Sequence, residues 1–118
     1  AYFITTSDYQ EKGSARKELI NYTYNGRQNA AQVMGTWQAF QNKELTNEVL
    51  TCYGFGDGGG GPTSGMLEEN RRMEAGIPGC PKTEQTSVKA FFERTDKKLQ
   101  REKNAPVWNG ELYLEYHR

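Results

Sequence analysis

A chain of 118 residues has room for one domain around one modest core. Only 35% of it is hydrophobic and its mean hydropathy is -0.91, so no stretch is apolar enough to span a bilayer. The balance of 15 basic against 15 acidic residues removes the electrostatic case for binding nucleic acid or an anionic membrane surface. Residues 2–6 are aromatic and β-branched and read as a strand. Residues 7–29 are polar, with Asn25-Gly26 as a turn signal, and read as a long surface excursion. From Ala30, apolar residues recur at Val33, Met34, Trp37 and Phe40 with helical spacing, which Gly35 and Thr36 weaken. Residues 48–53 are the next strand candidate and lead straight into a glycine-rich run.

After Pro62 and Thr63, residues 64–75 read as a helix stopped by Gly76. A rigid turn at Pro78-Gly79-Cys80-Pro81 leads to a short strand candidate over 82–86. Ser87 caps the clearest helix, with Val88, Phe91, Phe92 and Leu99 on one face and Lys89, Glu93, Lys97 and Lys98 outward. The Phe91-Phe92 pair belongs to the core on this reading, and the Arg71-Arg72 and Lys97-Lys98 pairs are solvated faces. Residues 107–116 end the series. From Glu111 on they alternate, with Leu112, Leu114 and Tyr116 on one face and Glu111, Tyr113, Glu115 and His117 on the other. Strands alternating with helices predict an α/β fold of β/α units with a mainly parallel sheet, whose sites lie beyond the carboxyl ends of strands.

The run Tyr53-Gly54-Phe55-Gly56-Asp57-Gly58-Gly59-Gly60-Gly61-Pro62-Thr63 sits at such an end. Dense glycine serves flexibility or close backbone approach, and folded-looking flanks favour a shaped loop carrying one acid. Asp57 has two readings: a turn residue bonding neighbouring backbone N–H groups, or an exposed carboxylic acid able to act as general acid or base. Gly54 to Gly59 also fits GxGxxG, the pattern of a nucleotide-binding oxidoreductase domain. A glycine run satisfies many patterns, however, and an Asp in the turn would repel a pyrophosphate. The lean core also leaves open a non-catalytic interaction module. Glu111 and Glu115 are either solvated strand residues or, with Tyr113 and Trp108, suited to sugar hydroxyls and pyranose faces. Cys52 and Cys80 make no metal-like spacing and read as two reduced thiols. Two reduced thiols suit a cytosolic protein, so the expected location is cytoplasmic; the start shows no targeting segment, though one could have been removed. The chain has one histidine, His117, and no convincing catalytic triad.

The glycine run, then Met66-Leu67-Glu68 with Arg71-Arg72, then Gly76-Ile77-Pro78-Gly79-Cys80-Pro81-Lys82, resemble the catalytic domain of glycoside hydrolase family 38 α-mannosidases. So do Phe91-Phe92-Glu93 and the terminal block from Trp108 to Arg118, and the resemblance is closest to the bacterial and vacuolar-type branch. It covers essentially the whole chain in the family's order, with Ser64-Gly65 as a departure before Met66. The resemblance implies a zinc-dependent retaining exo-α-mannosidase with a seven-stranded β/α barrel, of which residues 1–118 would be a partial catalytic domain. It places Asp57 as general acid/base, with Gly58, Gly59, Glu111, Tyr113, Glu115 and His117 at the substrate. The zinc ligands and the nucleophile would lie outside this chain, so the chain alone is expected to be inactive. Its expected partners are an α-mannoside oligosaccharide and the remainder of the parent domain, with no nucleic acid or membrane; a severed sheet exposes two edges, so either self-association or a rearranged fold is expected.

Overall fold

Three stretches of the chain close their own backbone hydrogen bonds. The computed structural model describes residues 4–11, 22–56 and 59–112; among these, α1 spans Ala30–Ala39, α2 Ser64–Ala75 and α3 Val88–Leu99. Each helix begins at a side chain that satisfies one orphan N–H. Asn29 accepts from the Gln32 amide at 2.9 Å, Thr63 from Met66 at 3.3 Å and Ser87 from Ala90 at 3.1 Å. Gly76 ends α2 with φ 94°, a backbone region that suits glycine, and its N–H donates to the Met73 carbonyl at 3.0 Å. Lys97 and Lys98 sit in the last turn of α3, where positive charge complements the helix terminus.

The expected α/β arrangement with a mainly parallel sheet is overturned. Among the described residues there is no strand, and the bridges are two isolated ones: Gly26 with Tyr53, parallel, and Phe55 with Gly61, antiparallel. The same holds for the barrel segment that the resemblance implies. Residues with strand-like side chains do meet, but they exchange single bonds rather than a ladder. Thr23 N donates to Thr6 O at 2.9 Å, Gly26 N to Cys52 O at 3.1 Å and Gly54 N to Gly26 O at 3.2 Å. Side chains take other backbone groups that a ladder would use: Gln10 N donates to Gln38 Oε1 at 3.0 Å and Gln85 N to Glu74 Oε1 at 3.1 Å. The 82–86 strand candidate is therefore a loop tied to α2. In the last strand candidate, Val107, Trp108 and Leu112 face solvent, and alternation makes a strand only where a surface exists to bury one face. Residues 2–3 and 113–116 of the expected strands lie outside the described residues.

The core gathers one or two side chains from each helix: Val33 and Ala39 with the adjoining Phe40, Met66 and Met73, and Phe91. Phe92 is 42% exposed, so the expected core pair is split. Its ring packs edge-on against Phe91 at 5.5 Å. Gly26 of the Asn25-Gly26 turn signal is buried rather than on a surface excursion, and a β-carbon there would lie 2.8 Å from the Cys52 carbonyl oxygen. Gly35 has a similar role inside α1. Residues 5–10 cross the helix as a strap: Thr5 Oγ1 donates to Thr36 O at 3.2 Å, Tyr9 N to Ala31 O at 2.9 Å, and Gln38 Nε2 to Gln10 O at 2.7 Å. A β-carbon at Gly35 would sit 2.1 Å from the Ser7 carbonyl oxygen. The residue that looked like a helix weakness is where another piece of backbone passes.

Charges add a second layer of contacts. Glu48 receives Lys98 at 2.8 Å and Arg94 at 3.3 Å, and Arg94 also reaches Glu84 at 3.4 Å. Lys98 is thus a tie between α3 and the 47–48 segment, which corrects its reading as a solvated face. Arg71 and Arg72 both bond Glu68 on their own helix, at 2.7 and 2.9 Å.

Candidate functional site

The glycine loop is held at its neck. Phe55 N donates to Gly61 O at 2.7 Å, and Gly60 N donates back to Phe55 O at 3.2 Å. Gly56 at φ 69° and Gly61 at φ 61° adopt the left-handed backbone that glycine supplies without steric cost. Side chains at Gly56, Gly59 or Gly61 would meet nothing within 4 Å, so this part of the loop offers bare backbone to its surroundings. Phe55 is 65% exposed. The loop closes on itself before Pro62 and Thr63 lead into α2, unlike the direct strand-to-helix passage that a dinucleotide fingerprint requires.

The base of the loop is tied on several sides. Gly26 brackets it through the Cys52 and Gly54 backbone, Gln28 Nε2 donates to Thr51 Oγ1 at 3.0 Å, and Gln85 Nε2 donates to the Tyr53 hydroxyl. Gln28 is only 5% exposed, and its Oε1 has no partner among the described residues. Gln28, Thr51, Tyr53 and Gln85 also line a cleft of about 690 Å³, together with Trp37, Glu48 and Arg94. In the cleft wall Glu48, Glu84 and Arg94 are paired with one another or with Lys98. The hydrogen bond from Lys98, opposed by burial and reinforced by the Lys98 and Arg94 charges, holds the Glu48 carboxyl below its usual range. The amides of Gln28 and Gln85 carry no periodic or motif signal in the sequence, and nothing local could have singled them out.

Of the site residues expected from the sequence, Gly59 is exposed at the loop and Glu111 is exposed in the 107–112 segment. The Glu111 carbonyl oxygen accepts from the Trp108 indole at 3.3 Å, and the Trp108 ring is 71% exposed. Among the described residues no hydrogen bond joins the glycine loop to Trp108 or Glu111. Asp57, Gly58, Tyr113, Glu115 and His117 lie outside the described residues. Among the described residues no group of three or more His, Cys, Asp or Glu side chains is placed to hold a metal ion, so they do not fit the zinc that the resemblance implies. Cys52 and Cys80 are free thiols, and burial pushes the Cys80 thiol up. Among the described residues no helix is long and apolar enough to cross a membrane.

Residues 1–111 match the glycosyl hydrolases family 38 N-terminal domain. The chain is 34% identical over 101 residues to "Alpha-mannosidase" of Saccharomyces cerevisiae, covering 81% of this chain and 9% of that protein. It is 33% identical over 99 residues to "Alpha-mannosidase G" of Dictyostelium discoideum, covering 81% and 8% respectively. It is 30% identical over 95 residues to "Alpha-mannosidase 2C1" of Homo sapiens, covering 80% and 9%. The chain thus spans less than a tenth of the length of these curated relatives. No solved structure matches it.

Proposed function

Because the chain belongs to the glycosyl hydrolases of family 38, we propose that it is part of the catalytic domain of an α-mannosidase, acting on terminal α-mannosides of oligosaccharides with retention. The observation that carries this reading is the glycine loop. Its neck is closed by Phe55 with Gly60 and Gly61, and open space surrounds Gly56, Gly59 and Gly61. A loop of that kind lets a bulky, hydroxyl-rich substrate approach backbone without intervening side chains. The acid it carries in sequence is Asp57.

In this reading Asp57 gives its proton to the glycosidic oxygen as the bond from that oxygen to the anomeric carbon breaks. A carboxylate outside this chain attacks the anomeric carbon and forms a glycosyl ester. Asp57, now ionised, takes a proton from water, whose oxygen displaces the carboxylate and frees the sugar. Gly58 and Gly59 contact the substrate in this reading, and Glu111, Tyr113, Glu115 and His117 meet sugar hydroxyls. Zinc belongs to the family resemblance, its ligands lying outside this chain, and no step assigned to these residues runs through it. The 118 residues alone are inactive in this reading, and the two free thiols accord with a cytoplasmic location.

The test is leaving-group dependence in the full-length parent. Asp57→Ala should lower kcat by about 10²-fold or more on alkyl mannosides, the scale of general acid catalysis, and far less on activated aryl mannosides. Wild-type turnover on both substrates would remove Asp57 from the acid role.

A further inference from the structure

We infer that Phe55 is a substrate-binding residue: its ring, presented at the neck of the glycine loop, stacks on the pyranose next to the terminal mannose. This rests on the reading of the chain as part of an α-mannosidase. Phe55 is 65% exposed, and an aromatic ring left in water gains by meeting another flat apolar surface. One face of a pyranose is such a surface, because it presents C–H groups rather than hydroxyls. Those C–H groups carry slight positive charge and face the negative centre of the aromatic ring.

The ring is held in place by its own backbone. Both main-chain groups of Phe55 are bonded across the neck: its N–H donates to Gly61 O at 2.7 Å, and its carbonyl accepts from Gly60 N at 3.2 Å. With both groups tied, the bond from its α-carbon to its β-carbon points one way. Gly60 lies against one edge of the ring. A β-carbon at that position would sit 3.2 Å from the ring atom Cδ1 and 2.5 Å from the Phe55 carbonyl oxygen. Glycine at position 60 therefore lets the neck close and leaves the ring room beside the backbone. These contacts lie entirely within residues 55, 60 and 61. A ring already held pays less entropy on binding than a mobile one. An enzyme that removes terminal sugars encloses the sugar it removes, so a platform this open suits the sugar that leaves.

The experiment uses the full-length parent enzyme, with kcat and KM measured on an α-mannobiose and on methyl α-mannoside, which lacks the second sugar. Phe55→Ala should raise KM for the disaccharide about 10-fold, the scale of stacking one flat ring on an aromatic side chain, and leave its kcat within about twofold. Methyl α-mannoside should keep both constants within about twofold. Phe55→Tyr and Phe55→Trp keep an aromatic face and should stay near wild type, whereas Phe55→Leu should lose about as much as Phe55→Ala. An unchanged KM for the disaccharide in Phe55→Ala, or wild-type behaviour of Phe55→Leu, would overturn the platform. So would an equal loss on both substrates, the mark of a ring that only supports the neck. In those outcomes the α-mannosidase reading stands, because the wild-type parent cleaves both substrates. A wild-type parent that cleaves neither would overturn that reading and the platform with it.

Discussion

Single atoms decide several features of this chain. Gly35 and Gly59 are the same residue type, yet the structure treats them oppositely. At Gly35 an added methyl would collide with the backbone of residues 7–9, whereas at Gly59 it would meet nothing. Gly35→Ala should therefore lower stability by about 1–3 kcal/mol, the usual cost of overpacking against atoms that cannot yield. Gly59→Ala should change it by no more than about 0.5 kcal/mol. Thermal denaturation of the two variants measures the difference, and equal shifts would contradict the crossing. Thr36 shows the same discrimination: fully buried in α1, it returns its hydroxyl to the Gln32 carbonyl at 2.7 Å and so leaves no orphan donor.

At the scale of elements, what could be read ahead of the structure was what is decided locally. Thr63, Ser87 and Gly76 mark helix ends through atoms within four residues of them, and all three stand where their spacing predicts. Asn29, the α1 cap, escaped because Asn25-Gly26 just before it carries a stronger turn signal. Strands depend on partners far along the chain, and no residue of the 48–53 or 82–86 segments announces whether a ladder will form beside it. The glycine loop was legible as a shaped loop, whereas the amides that hold its base were not. The caps also give a direct test. Ser87→Ala should cost about 1 kcal/mol while Ser87→Asp should cost little, since a carboxylate caps as well and favours the helix N-terminus. Chemical denaturation compares them, and an equal loss in both would contradict the cap.

Across the whole molecule, the Glu48 cluster is the electrostatic tie that binds α3 to the 47–48 and 84–86 segments. Lys98, and then Arg94, depress the Glu48 carboxyl below its ordinary value of 4.5. A depressed acid contributes stability that is fully present above its unfolded value and is lost as pH falls through the folded one. Stability should therefore decline below about pH 4.5, and Glu48→Gln should flatten that acid limb. Glu68 is also depressed, chiefly by its hydrogen bond from Arg72. Its two pairs lie on one exposed helix, however, where solvent and salt screen them. Glu68→Gln should leave the acid limb nearly intact, and thermal melts between pH 3 and 7 separate the two variants.

The strap over α1 carries one more consequence, in the order of folding events. Thr5 and Thr36 are 31 residues apart in sequence, while α1 needs only its own neighbours to form. A helix of this size closes in about a microsecond or less, and the longer loop can profit from α1 only once it exists. The strap should therefore dock after the main barrier is crossed and come away first on unfolding. Thr5→Val, which deletes the hydroxyl bonded to the Thr36 carbonyl, should speed unfolding in stopped-flow measurements and leave the refolding rate almost untouched. The strap then acts as a latch on the lifetime of the folded chain, with little say in how fast that chain forms.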